Sequence, residues 1–503
     1  MEATPGLHVD KTMVVCSVCE QDLPKADFSG AQLKKKNDKK KSCSTCVAAA
    51  ALAEVVLANP PPVSSEDMPA DYDMAAAQVG YRVEESVAGS RSLIATRDFA
   101  EGELVLREPP ALVFSPDNAE EFLGAFLGAS PAAQASILKM ATPALDSDLD
   151  AVSASEREAI LAARRTRAAA RTALATPLAG QYEGSTRILE LVEALLLIAD
   201  CNAHAFEERV GLFPTAALAN HSCNPSCGHG TRVAGEMRFW ANRSLSTGEE
   251  ITISYLPALF STPREARRRQ LMLEKLFYCR CPRCVGIDSC RGLHCVTACC
   301  DGVAERRDSG QWHCGKCKSD HAQSEMGPSM EAEDALIKRA SALQPATTGT
   351  LTTAQVLAAV QSVRDDLSPS HHLAPELLSR IFEIHPPPPP RERAAVAAQA
   401  LATLECAASG CHSLKCARHG VTRHPPCAEL VGEAVTAALA CASGGTKELV
   451  GLAGVISSRY LPWAVRAFGP EDTSVRTMQK VLDLVAPNAV KSGIVEEEIK
   501  ELQ

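Results

Sequence analysis

The chain has 503 residues, of which 46% are apolar and 4% aromatic, with 21 cysteines and a formal net charge of −10. That acidic balance excludes a nucleic-acid coat over the whole chain but leaves room for a local basic patch, and no apolar run is long enough to span a bilayer. The N-terminal MEATPGLHVDK has no charged start followed by an apolar stretch, so no secretory signal is expected; a reducing nucleus and/or cytoplasm is expected instead, where close cysteine pairs read as metal ligands before disulfides.

Residues 1–50 read as a zinc-ribbon-like module. Cys16-x2-Cys19 and Cys43-x2-Cys46 have metal-ligand spacing, and a module this short needs a metal to hold it. The lysine run Lys34–Lys41 lies between the pairs and is a candidate for weak phosphate contact. Residues 51–78 read as a linker, in which 58–72 is rich in Pro, Ser and acid. SLIATRDF and GELVLRE, separated by AEG, predict two strands and a turn. Residues 115–200 are rich in Ala, Arg and Glu and predict helices inserted into the strand-forming region. MRFWANRSL and EEITISYL predict further strands.

Cys279, Cys281 and Cys284 bring three thiols close together in the chain. A structural zinc wants four tetrahedral ligands. Cys223 in LANHSCNPSC is one candidate for the fourth, and Cys290 is the other. A further set is expected in 290–317, where Cys314 and Cys317 need two partners; Cys295 with Cys299 or Cys300 fits best, Cys299 being the one taken, and Cys290 is the remaining candidate. Beyond residue 320 apolar positions such as Leu336, Ala340 and Leu343 recur at helical spacing, which predicts an all-helical C-terminal domain, candidate TPR-like, interrupted by a stiff HPPPPPRER connector.

GSRSLIATRDFAEGELVL, NHSCNP, GEEITISY and CRCPRC, in that order, resemble the SET-domain protein-lysine methyltransferases, and among them the SMYD branch. The resemblance covers about residues 79–320. It implies an α+β multidomain chain: a β-rich SET core over 79–258 split by the helical insertion, a post-SET region with the second cysteine cluster over 259–320, and a helical domain over 321–503. It implies S-adenosylmethionine as methyl donor, a protein lysine (histone or non-histone) as acceptor, and zinc. Gly89, Arg91, Asn202, Asn220, His221, Tyr255 and Phe277 match the family's cofactor positions, Tyr255 the catalytic tyrosine, and Cys223, Cys279, Cys281 and Cys284 the post-SET zinc ligands. Three features depart from the pattern: Ser92 stands for a glycine, Ser226 for an asparagine, and the insertion lacks the cysteines of a MYND finger.

The chemistry stands without the resemblance. Moving a methyl group from a sulfonium to an amine is an in-line displacement. It needs a neutral amine held close and aligned. An apolar channel disfavours the ammonium form, and a tyrosine hydroxyl with carbonyl oxygens orients the amine. A monomeric enzyme without membrane contact is expected. The rival expectation is a zinc-bearing SET scaffold that binds protein or nucleic acid without catalysis.

Overall fold

The computed structural model describes residues 13–15, 22–24, 80–85, 91–181, 186–206, 208–233, 235–256, 262–343, 351–369, 371–384, 388–409, 428–444 and 446–492. Cys16, Cys19, Cys43, Cys46, Gly89, the Lys34–Lys41 run and the 51–78 linker lie outside them. Near the N-terminus β1 (Met13–Val15) and β2 (Asp22–Pro24) form an antiparallel pair. The chain divides into two compact units, one holding Pro109–Ala217 and the other Asp71–Glu108 with Leu218–Gln503.

In the second unit β3 (Tyr81–Glu85), β4 (Arg91–Ala95), β12 (Glu250–Ile253) and β9 (Asn220–His221) form one sheet in that order; β12 and β9 run parallel and the other pairs antiparallel. A second sheet orders β10 (Cys227–Gly230), β11 (Met237–Ala241) and β5 (Leu104–Glu108). The expected strands are present, yet β4 and β5 pair in different sheets, as do β11 and β12. Each takes a nonlocal partner because its apolar face must be covered: Leu93, Ile94, Val105, Leu106, Phe239 and Ile251 are all buried. The AEG and STG turns rest on Gly102 and Gly248, whose φ of 79° and 87° disfavours any Cβ.

In the other unit β6 (Leu112–Phe114), β8 (Arg209–Leu212) and β7 (His204–Phe206) form a small antiparallel sheet. Sharing one core with it are α1 (Ala119–Gly128), α2 (Pro131–Leu138), α3 (Ala154–Gly180) and α4 (Thr186–Asn202), as the insertion predicts. Ser153 and Glu156 form a capping box that starts α3. Phe114, Phe122, Phe126, Leu195 and Leu212 share its core.

After β12 come α5 (Arg264–Glu274) and the single turn α6 (Pro282–Val285). A four-stranded ribbon follows: β13 (Gly292–His294), β14 (Val303–Arg306), β15 (Trp312–Cys314) and β16 (Asp320–His321). The rest is helical: α7 (Gly327–Ala342), α8 (Thr353–Asp366), α9 (Leu373–Ser379), α10 (Pro390–Ser409), α11 (Ala428–Ser443), α12 (Lys447–Phe468) and α13 (Thr473–Ser492). The expected proline connector is shorter than HPPPPPRER suggests. Pro390 opens α10, where a first-turn proline loses no hydrogen bond. No helix among the described residues is long and apolar enough to cross a membrane.

Candidate active site and metal centres

The NHSC segment is held by strand pairing. Asn220 and His221 lie opposite Thr252 and Ile253 in the parallel β9–β12 ladder, and the Ser222 N–H donates to the Ile253 carbonyl at 2.9 Å. Ser226 closes the crossing. Its hydroxyl accepts the Thr252 N–H at 2.8 Å and donates to the Glu250 carbonyl at 3.1 Å, while its own N–H donates to Thr252 Oγ1 at 3.0 Å. The serine that departs from the family pattern therefore knits the two segments together, out of solvent.

Asn220 Nδ2 faces three acceptors: the Arg91 carbonyl at 3.1 Å, Ser92 Oγ at 2.9 Å and Glu250 Oε1 at 2.8 Å. This ties the opening segment of the fold to β9. Nothing in the sequence pointed to Glu250 as a partner of Asn220. Glu249, by contrast, accepts from Arg243 and the Ser246 N–H, which makes it a turn carboxylate.

His221 Nδ1 accepts the Tyr255 N–H at 3.0 Å. Its proton therefore belongs on Nε2, which stands 3.2 Å from Cys223 Sγ and donates to it. Burial pushes the imidazole pKa down to about 4, so it is neutral at pH 7. Tyr255, just past the end of β12, donates its hydroxyl to the Ala219 carbonyl at 2.7 Å. Phe277 completes a group of three rings with centroids 5.3 Å (His221–Tyr255), 6.0 Å (His221–Phe277) and 6.2 Å (Tyr255–Phe277) apart. A sharp reversal delivers Phe277: Lys275 caps α5, and buried Leu276 adopts φ 62°. A branched-chain residue in that conformation is strained by roughly 1–3 kcal/mol, and the surrounding packing must hold it. Lys275 Nζ lies 5.9 Å from the Tyr255 ring centre.

Asn202 is in the other compact unit. Its Nδ2 donates to the Ala141 and Ile198 carbonyls, both at 2.9 Å, so its amide hydrogens are used within the helical insertion.

Cys223, Cys279, Cys281 and Cys284 converge, with all four sulfurs within 4.8 Å of one another. Ligands at about 2.3 Å from a tetrahedral zinc would lie about 3.8 Å apart, so the set fits one ion. Cys290 is outside it and accepts from Arg283 Nη2 at 3.0 Å. The geometry thus selects Cys223 over Cys290 as fourth member. Cys281 sits at the N-cap of α6, and that single turn brings Cys284 back toward it.

The arginines of α5 are what the sequence did not disclose. REARRR reads as a solvated basic run, yet Arg264, Arg267 and Arg268 are buried. Arg267 Nη2 lies 3.9 Å from Cys284 Sγ, and its Nη1 lies 3.6 Å from Asp288. Burial alone would disfavour its charge; Asp288 and the neighbouring thiols outweigh that and raise its pKa. Arg268 donates to the Cys279 and Cys284 carbonyls at 3.0 and 3.1 Å. Four thiolates around one Zn2+ would carry two surplus negative charges, and in a dry core those need cations beside them. Arg267 supplies one.

The second cysteine set requires a correction. Cys295, Cys314 and Cys317 come together as expected, but their fourth member is Cys300. Cys299, which is exposed and takes φ 61°, is not a member of the group.

Residues 90–256 match the SET domain family model. Mouse and human histone-lysine N-methyltransferase SMYD3 are each 42% identical over 84 residues, 17% of this chain and 19% of theirs. SET domain-containing protein SmydA-8, isoform B, of Drosophila melanogaster is 32% identical over 136 residues, 24% of this chain and 30% of its own. The chain thus spans only about a fifth of the length of the SMYD3 proteins it matches. The solved structure of Rubisco LSMT bound to AdoMet aligns over 88% of this chain and 92% of its own, at 11% identity and a TM-score of 0.31, too low to carry a fold assignment.

Proposed function

We propose that this chain, which carries a SET domain over residues 90–256, transfers a methyl group from S-adenosylmethionine to a lysine side chain of a protein. The carrying observation is the convergence of Asn220, His221, Tyr255 and Phe277 on the β9–β12 crossing, beside a four-sulfur zinc-type cluster. When bound, the donor supplies an electrophilic methyl group on a sulfonium. Arg91, Asn220 and His221 would hold it through backbone groups and the Asn220 amide.

The remaining work falls to the chain. Tyr255, with its hydroxyl fixed on Ala219, would orient the acceptor amine. The Ala219 carbonyl and the surrounding rings would favour the partly positive methyl and exclude bulk water. The zinc would keep Phe277 and the Cys279–Cys284 segment pinned to Cys223. Neutral His221 acts as no base in this scheme; it joins the Tyr255 backbone to the Cys223 sulfur. The acceptor proton would leave through water.

The acceptor is a lysine of a histone or another protein, and the names of the SMYD3 relatives support the histone choice. We place the protein as a monomer in the nucleus or cytoplasm, with weak nucleic-acid contact assigned to Lys34–Lys41. The test is transfer of labelled methyl from S-adenosylmethionine to histones and whole-cell lysate. Tyr255→Phe is expected to lower labelling by about 100-fold or more with zinc content unchanged. Equal labelling would remove Tyr255 from the mechanism. Absence of donor uptake by calorimetry would favour the non-catalytic scaffold.

A further inference from the structure

We propose that Cys295, Cys300, Cys314 and Cys317 hold a second zinc ion, and that this ion keeps the β13–β16 ribbon folded as the platform on which α7–α9 dock. The proposal does not rest on the methyltransferase reading.

The sulfur geometry comes first. The four Sγ atoms lie within 4.8 Å of one another, with Cys295–Cys317 at 3.6 Å and Cys300–Cys314 at 3.7 Å. These separations are far beyond a disulfide bond of about 2.05 Å and close to the roughly 3.8 Å edge of a zinc–thiolate tetrahedron. Each sulfur also receives backbone N–H groups from just downstream. Thr297 N–H donates to Cys295 at 3.4 Å and Gly302 N–H to Cys300 at 3.3 Å. The backbones of Lys316 and Cys317 point at Cys314, and that of Ser319 at Cys317. Donation of this kind orients each sulfur within the group, as outer hydrogen bonds do for metal ligands. His321 Nε2 adds a further contact, 3.3 Å from Cys295 Sγ. Gly302 is confined by the cluster itself: a Cβ there would lie 2.6 Å from Cys314 Sγ and 3.1 Å from Cys300 Sγ.

The ribbon has no core of its own. Its strands are two to four residues long. Of its buried apolar residues, Leu293, Ala304 and Trp312 belong to the same cluster as Met326, Leu336 and Val363 of the helical region. Polar ties follow the same seam. Arg291 pairs with Glu333 at 2.6 Å, Ser368 Oγ donates to the Gly292 carbonyl at 2.9 Å, and the His372 N–H donates to the Cys290 carbonyl at 3.0 Å. A sheet this small stands only if something other than its own burial holds it. The ion is that staple, and the helices bury the apolar face the ribbon offers.

The experiment uses the full chain. Zinc content is measured by elemental mass spectrometry, and hydrogen exchange is followed in residues 327–379. Cys300→Ser is expected to lose one zinc equivalent and to raise exchange there by about 100-fold, while peptides around Asn220 and Tyr255 keep their protection. Cys299→Ser is expected to change neither. Cys300→His, which restores a ligand, is expected to recover both zinc and protection, and that separates metal loss from general misfolding. Full zinc retention by Cys300→Ser overturns the ligand set. Loss of one equivalent with unchanged exchange in α7–α9 overturns the docking role.

Discussion

Glu333→Gln tests whether a buried ion pair holds the ribbon seam. Glu333 is 2% exposed on α7. It accepts from Arg291 Nε at 2.8 Å and Nη2 at 2.6 Å, and from His371 Nε2 at 3.1 Å. His371 Nδ1 accepts the Leu373 N–H, so this imidazole is engaged at both nitrogens and the group is an ion-pair network, not a metal site. Burial alone would raise the Glu333 pKa, but the His371 hydrogen bond and the Arg291 guanidinium bring it down to about 2, from 4.5. A depression of that size corresponds to about 3 kcal/mol, similar to the roughly 3–5 kcal/mol for breaking a buried pair from one side.

The sign follows from the depression. The contribution is fully present above the unfolded pKa near 4.5 and is lost as pH falls through about 2. Urea unfolding followed by tryptophan fluorescence is expected to show Glu333→Gln about 3 kcal/mol less stable than wild type at pH 7. The gap should narrow steadily below pH 4.5. Trp312 reports the event well, because Arg291 stacks 5.6 Å from its ring and the residue is fully buried. A difference under about 1 kcal/mol at pH 7, or one that stays constant down to pH 3, would refute the reasoning.

Arg267→Met is expected to weaken zinc at the Cys223 site by about 10–100-fold in chelator competition, because an uncompensated thiolate charge would remain in the core; unchanged affinity would show that Arg267 does not balance the cluster. Ser226→Ala removes the acceptor of the half-buried Thr252 N–H and is expected to destabilise by about 1 kcal/mol, read by chemical denaturation. Gly228→Ala would place a Cβ 2.3 Å from Trp240 Nε1, and a loss of about 1–3 kcal/mol is expected from overpacking; an unchanged midpoint would mean that the β10–β11 pair yields at little cost.

Much of the candidate site was legible because its parts are local in sequence. Cys279, Cys281 and Cys284 are close enough for spacing alone to declare a metal, and the tyrosine ending GEEITISY follows a strand whose alternation is plain. Cys299 and Cys300 show the limit. Adjacent cysteines offer nearly the same ligand spacing, and only the folded chain, which brings Cys300 to the other three sulfurs, decides between them. The α5 arginines show another limit. Charge in a helix reads as solvated, and nothing local says that thiolates will surround it.

Short-range physics was therefore readable from the chain: which residues alternate or recur, where turns need glycine, and which thiols lie near enough to share an ion. What depended on the tertiary structure was every assignment made by a distant partner. Cys223 joined Cys279, Cys281 and Cys284; Ser226 bridged to Thr252; β4 and β5 went to different sheets; the ribbon lent its tryptophan to the helical core. Burial is a property of the whole packed chain, so the charge, ligand or hydrogen bond that a residue must satisfy is set only when its neighbours arrive.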